Sequence, residues 1–144
     1  MKGVKEASEP SNAWKAQDFD DSLWLSGTAP FGYGQEGVQT ALADMRDNYT
    51  SVYLRNEFTL IRLEASSVLQ FTAMYDDGFA LYINGEELAR VGLPQGELPH
   101  NGRANESDFA PRKWNAIFPV ECIPSLVPGK NIVAVHLFNT RPDS

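Results

Sequence analysis

Cysteine is almost missing from this sequence: Cys122 is the only one, so no internal disulfide can form. A lone thiol of this kind is expected as a small buried hydrophobe, and the composition takes no side between an oxidising and a reducing compartment. Basic charge is also scarce. Twelve Lys and Arg stand against nineteen Asp and Glu, for a net charge of −7, and the basic residues are scattered, which excludes the positive footprint that nucleic acid or an anionic membrane requires. The two histidines, His100 and His136, have no spacing that points to a metal or catalytic pair, and no oxyanion-hole or elbow motif accompanies Cys122. No stretch approaches the roughly 20 apolar residues of a membrane helix, and the opening MKGVKEASEP carries no apolar run of the signal-peptide kind. Helical periodicity is missing as well, since apolar residues nowhere keep helical spacing for two full turns.

What remains is a β pattern. With 144 residues and 42% hydrophobic content, the chain is expected to form one domain, 1–144, with a core that needs no staples. Residues 52–60 (VYLRNEFTL) alternate, with Val52, Leu54, Phe58 and Leu60 on one face and Tyr53, Arg55, Glu57 and Thr59 on the other. Further strands are expected over 68–75, 79–83, 86–90, 117–122 and 131–138, the last launched from Pro128-Gly129-Lys130. The expected fold is an all-β antiparallel sandwich. Segments 25–50 and 91–116 interrupt the strands, and connections of that length often carry a binding surface.

The stretch YDDGFALYING (75–85) admits two readings. In one, Asp76-Asp77-Gly78 is a three-residue hairpin loop with Gly78 at positive φ, so that Tyr75 pairs with Phe79, Ala73 with Leu81 and Phe71 with Ile83. Asn84-Gly85 then makes a type I′ turn that sets Leu88 opposite Leu81. In the other, Asp76 and Asp77 ligate calcium, which wants about six to eight oxygens and would need both carboxylates on one side of an unusual backbone, such as a cis Asp-Asp peptide.

Taken together, Trp14, the run DFDDSLW (18–24), GTAPFGYG (27–34), YLRNEF (53–58), DDGFALYINGEELAR (76–90) and GKNIVAVHLFN (129–139) resemble the galactose-binding-domain-like jelly rolls found beside secreted bacterial hydrolases and surface proteins. The pattern is similar to the sugar-binding domain of family 2 glycosidases, and Asp76 to Gly85 resembles, more loosely, PA14-type domains. The jelly-roll resemblance implies a non-catalytic accessory module of a larger exported protein, placed outside the cell, in the periplasm or at the surface. Its partners would be a carbohydrate and the other domains of the parent polypeptide. The PA14 resemblance implies calcium at Asp76 and Asp77; no other cofactor is expected. Domains of this kind usually carry a further strand at each end, so an excised piece with an open sheet edge is expected.

Sugar binding needs an exposed aromatic platform with polar groups at its rim. The candidates are Trp114, Tyr49, Trp14 and Tyr33, with Arg46, Asn101 and Arg103 at the rim; Trp24 and Tyr33 lie inside the resembling motifs and also read as structural. A docking or supporting module that binds no sugar is the alternative, and it would show a flat apolar patch instead.

Overall fold

The computed structural model describes residues 10–105 and 112–143. Its strands are β1 Phe31–Gly32, β2 Thr40–Ala41, β3 Ser51–Leu60, β4 Val68–Tyr75, β5 Gly78–Ile83, β6 Glu86–Val91, β7 Arg112–Pro119 and β8 Gly129–Phe138, with single 3₁₀ turns at Asn12–Lys15 and Val120–Cys122. A four-stranded antiparallel sheet runs β3-β8-β5-β6, β4 and β7 form an antiparallel pair, and β1 and β2 make a short parallel bridge. The protein is all-β and sandwich-like.

The four-stranded sheet is a middle layer. On one face Phe58 and Leu60 of β3, Ile83 of β5 and Val133 of β8 pack against Leu69 and Phe71 of β4 and Phe118 of β7, with Ile123 and Leu126 closing the cluster. Val52 and Leu54 continue that face into a second cluster with Leu42, Met45 and Tyr49. The opposite face carries Tyr53, Ala80, Tyr82, Ile132, Ala134 and Phe138, covered by Trp14, Phe19, Trp24, Leu93 and Leu98. This explains why β5 reads GFALYI: all six of its residues are buried, as in a strand with both faces covered.

The cover is held down by one side chain. The Arg55 side chain, 2% exposed, pairs through Nε with Asp21 Oδ2 at 2.7 Å. Its Nη1 donates to the carbonyls of Trp14 and, at 2.9 Å, Ala16, and Nη2 donates to Phe19 O at 3.4 Å. A planar five-donor fork suits this spread of acceptors.

Several expectations need correction. β4 and β5 do not form a hairpin: Tyr75, Ala73 and Phe71 pair with Arg112, Trp114 and Ala116 of β7, while Phe79, Leu81 and Ile83 pair with Leu137, Val135 and Val133 of β8. The chain crosses between layers at Asp76-Asp77, whose peptide bond is cis. Tyr75 and Phe79 still meet, with ring centroids 5.0 Å apart, but across the sandwich. Alternation assigns a side chain to the interior without saying whether its neighbour lies beside it or opposite it. Gly78 is also absent from the positive-φ residues; it is needed because a Cβ there would lie 2.8 Å from Gly92 O and 2.7 Å from a Leu93 methyl.

The Asn84-Gly85 turn forms as expected, with φ of 48° and 96°. A register shift between Leu81 and Tyr82, however, sets Ala89, not Leu88, opposite Leu81. The strand expected over 117–122 begins at Arg112 and ends at Pro119, because Trp114, Ala116 and Phe118 turn to the interior while Lys113 and Asn115 point outward. Cys122, expected to be buried, lies in the following 3₁₀ turn and is exposed.

Replacing Arg55 by Lys keeps the charge and loses the fork, leaving buried carbonyls unpaired. Arg55→Lys is expected to cost about 2 kcal/mol in urea denaturation, with the tryptophan emission of the native baseline shifted to the red as the Trp14–Trp24 segment loosens.

Candidate functional site

Where the cover meets the sheet it leaves a partly open cavity of about 160 Å³. The N-terminal segment, all four strands of the sheet and a loop build it: Trp14 and Lys15 from the segment, Tyr53 of β3, Tyr82 of β5, His136 of β8, Glu87 and Arg90 of β6, and Gly96, Glu97 and Leu98 from the loop after β6. Trp14 stands edge-on to Tyr53 and Tyr82, with centroids 4.9 and 5.6 Å away, and to His136 at 6.0 Å. Lys15 Nζ lies 4.8 Å above the Tyr82 ring, a cation–π contact.

Arg90 shapes the loop wall. It grips Glu87 with Nε and Nη2 at 2.8 and 2.7 Å, and its Nη1 donates to Pro94 O and Gly96 O, both at 2.7 Å. A bidentate carboxylate partner fixes the guanidinium plane, and the remaining donors tether the loop. Burial, then the neighbouring Glu87, push the Tyr82 phenol up to about 12.

His136 is the unusual member. Its ring stacks on Tyr53 at 4.0 Å and touches Phe138 at 3.9 Å. The residue is 3% exposed, and Nε2 is a buried side-chain atom with no hydrogen-bond partner among the described residues. Burial, reinforced by His100 and Lys15, pulls its pKa down to about 3, so the imidazole is neutral across the physiological range. His100 reaches the other side of Tyr53: its ring lies parallel to Tyr53 at 5.7 Å, and its Nδ1 is hydrogen-bonded to the Tyr53 hydroxyl at 3.1 Å. The two histidines therefore converge on one tyrosine, which no spacing in the sequence revealed. Period-two alternation put His136 in phase with Ile132 and Ala134, but only the tertiary fold shows that its neighbours leave a cavity.

The residues picked out for sugar binding do not share one platform. Trp14 is 5% exposed and forms a wall of the cavity. Tyr49 is 9% exposed within the Leu42–Val52 cluster and donates to Asp44 Oδ1 at 3.0 Å. Tyr33 is half-buried; it donates to Pro142 O at 3.3 Å, accepts from Asn139 Nδ2 at 3.1 Å, and carries the Arg46 guanidinium over its ring at 5.8 Å. Trp114 is half-buried on β7 and packs edge-on to Phe79 at 5.3 Å, inside the sandwich. Asn101 and Arg103 are exposed in the loop that reaches Thr50 and Ser51, whose hydroxyls donate to Gly102 O and His100 O at 2.7 and 2.5 Å. Of the chosen residues, only Trp14 lines the cavity.

Asp76 and Asp77 have separate tasks. Asp77 is 5% exposed, and its Oδ2 accepts from the backbone N–H and the hydroxyl of Thr140 at 2.7 and 3.0 Å, fastening the chain that leaves β8. Asp76 accepts from Gln35 Nε2 at 3.1 Å; its carboxyl is raised above the usual range by burial and by Asp77 beside it. Among the described residues no group of three or more His, Cys, Asp or Glu converges as a metal cage would require. Calcium takes about six to eight oxygens, of which these two carboxylates would supply only a part.

Comparison with protein-family models, with curated proteins and with solved structures returned no match.

The depressed His136 pKa makes a pH prediction. Between about pH 6.5, where a free histidine takes up its proton, and about pH 3, the unfolded chain binds more protons than the folded one, so stability falls as the pH drops through that window, by at most about 1.4 kcal/mol per pH unit. The raised carboxyl of Asp76 works in the opposite sense. Urea midpoints measured at pH 7.5, 6 and 5 should decrease in that order, and His136→Phe should flatten the series.

Proposed function

We propose that this chain is a non-catalytic carbohydrate-binding module, a jelly roll of the galactose-binding-domain-like kind serving a larger exported or surface protein, and that it holds sugar in the cavity beneath Trp14. The carrying observation is the cavity's composition: aromatic walls from Trp14, Tyr53 and Tyr82 with Lys15, Glu87, Arg90 and Glu97 around them. A sugar ring presents apolar C–H faces and a polar edge, and a pocket combining aromatic surface with a few directed polar groups answers both. Absence of catalysis is supported by the same geometry. His136 is too weak a base to move protons near neutrality, and Glu87 and Arg90 are locked to each other.

In this reading the module needs no metal, and Asp77 is a structural tie to Thr140. Titration with neutral monosaccharides should raise the melting temperature by mass action and change the tryptophan emission, with identical responses in EDTA and in excess calcium. A calcium-dependent rise in melting temperature that Asp76→Asn abolishes would restore the metal; no response to any sugar would remove the proposed function.

One observation favours the docking alternative. On the outer face of the β4–β7 pair, Val68, Met74 and Ile117 are 54%, 77% and 63% exposed, apolar side chains on one sheet face that a neighbouring domain of the same polypeptide would cover. If that face is used, Met74→Lys combined with Ile117→Lys should reduce self-association of the isolated chain in analytical ultracentrifugation while leaving its melting temperature within about 1 °C, since surface substitutions outside packed features cost little.

A further inference from the structure

We propose that the cavity selects one neutral sugar residue over an acidic one, and that a hydroxyl of that residue supplies the missing partner of His136 Nε2. This rests on the carbohydrate reading above and specifies its ligand.

The charges argue for neutrality. Two cations, Lys15 and Arg90, and two carboxylates, Glu87 and Glu97, line the cavity, so its formal charge is zero. Arg90 is spent on Glu87, Pro94 and Gly96, which leaves no bidentate fork to receive a uronate or phosphate. Lys15 is the one cation facing the cavity without a carboxylate partner among the described residues, and Glu97 faces it with the opposite sign. An ammonium and a carboxylate set apart can each bind a hydroxyl, one as donor and the other as acceptor. An anionic ligand would gain from Lys15 but would be brought beside Glu87 and Glu97.

His136 argues for a hydroxyl. A buried polar atom without a partner costs roughly 1–3 kcal/mol, and native proteins leave few of them. Here the orphan belongs to a side chain that lines a cavity. A hydroxyl both donates and accepts, so it completes Nε2 in either tautomer, whereas a carboxylate serves only the tautomer that carries the proton there. Tyr53 stacks on the same ring and Phe138 packs tilted against it, which fixes its plane.

The test is calorimetric titration of the full chain with glucose, galactose and mannose, and in parallel with glucuronate and galacturonate. The neutral sugar that binds most tightly should exceed its uronic acid by at least tenfold. His136→Phe, which keeps a flat ring and removes the orphan atom, should weaken the neutral sugar by about tenfold, the size of one net hydrogen bond. Its melting temperature without sugar should be equal or higher. His136→Gln, which restores a polar amide near the same place, should recover most of the affinity. An imidazole ¹⁵N spectrum of the unmutated protein gives a readout free of folding effects: adding the neutral sugar should move the Nε2 resonance. Sugar binding that leaves Nε2 and His136→Phe unchanged, or uronates that bind as tightly as neutral sugars, would overturn this inference while leaving the carbohydrate reading in place. Failure of every sugar to bind would remove both.

Discussion

The Arg55 guanidinium, buried on the outer face of β3, makes the outer layer of this protein possible. A charge so placed is costly unless every direction around it is answered, and here Asp21 neutralises it while the carbonyls of Trp14, Ala16 and Phe19 take its other donors. Those acceptors lie in a segment with almost no regular structure of its own, a single 3₁₀ turn at Asn12–Lys15. The segment satisfies only some of its carbonyls within itself; the arginine takes others and, in the same act, lays Trp14 on Tyr53 and Tyr82. The cavity wall is thus a consequence of an ion pair between residues 34 positions apart in the chain, Asp21 and Arg55 of β3.

A second consequence concerns the sheet itself. Once its outer face is covered, β5 must be apolar on both sides, and its neighbour β6 carries charge at the sheet edge, where Glu87 and Arg90 stand. The other layer is tied on by the crossing at Asp76-Asp77. There Asp77 is buried and bonded to Thr140, directly after β8, while Gly92 comes so close to Gly78 that a side chain would not fit. Three stretches distant in sequence thereby meet at one point, and the loop that leaves it, starting at Gly92, is the loop that Arg90 then bends over the cavity.

Much of this was legible in the residues and some was not. Asn84-Gly85 announced its turn because the demand for two positive φ angles is local and few residue pairs meet it. Alternation correctly assigned Phe71, Ala73 and Tyr75 to the interior, but it carried no information about which strand lies alongside, so a crossing between sheets was read as a hairpin. The expected register of Leu88 failed for a related reason: a bulge is one residue wide and leaves the composition of a strand unchanged. Arg55 was placed on the correct face of its strand, but its role depended on carbonyl groups, which no sequence pattern displays. Cys122 is exposed because the strand ends at Pro119, before the thiol could be drawn inward.

The candidate site was the least legible part, and the reason is physical. Aromatic residues were sought as exposed platforms, whereas Trp14 and Tyr53 act here as buried walls whose edges bound a void. A void is a property of what the surrounding side chains fail to fill, and it arises only when the N-terminal segment, the sheet and the Arg90-tethered loop are in place together. Elsewhere in this interior polar groups are answered with care: Asn131, fully buried, bonds Val127 twice, Gly129 and Asn84. Against that background His136 stands out among the described residues, since a phenylalanine or leucine in its place would satisfy the packing without leaving a polar atom unpaired. Leaving this nitrogen, on a side chain that lines the cavity, without a partner among the described residues forgoes stability at the place where the proposed ligand would return it.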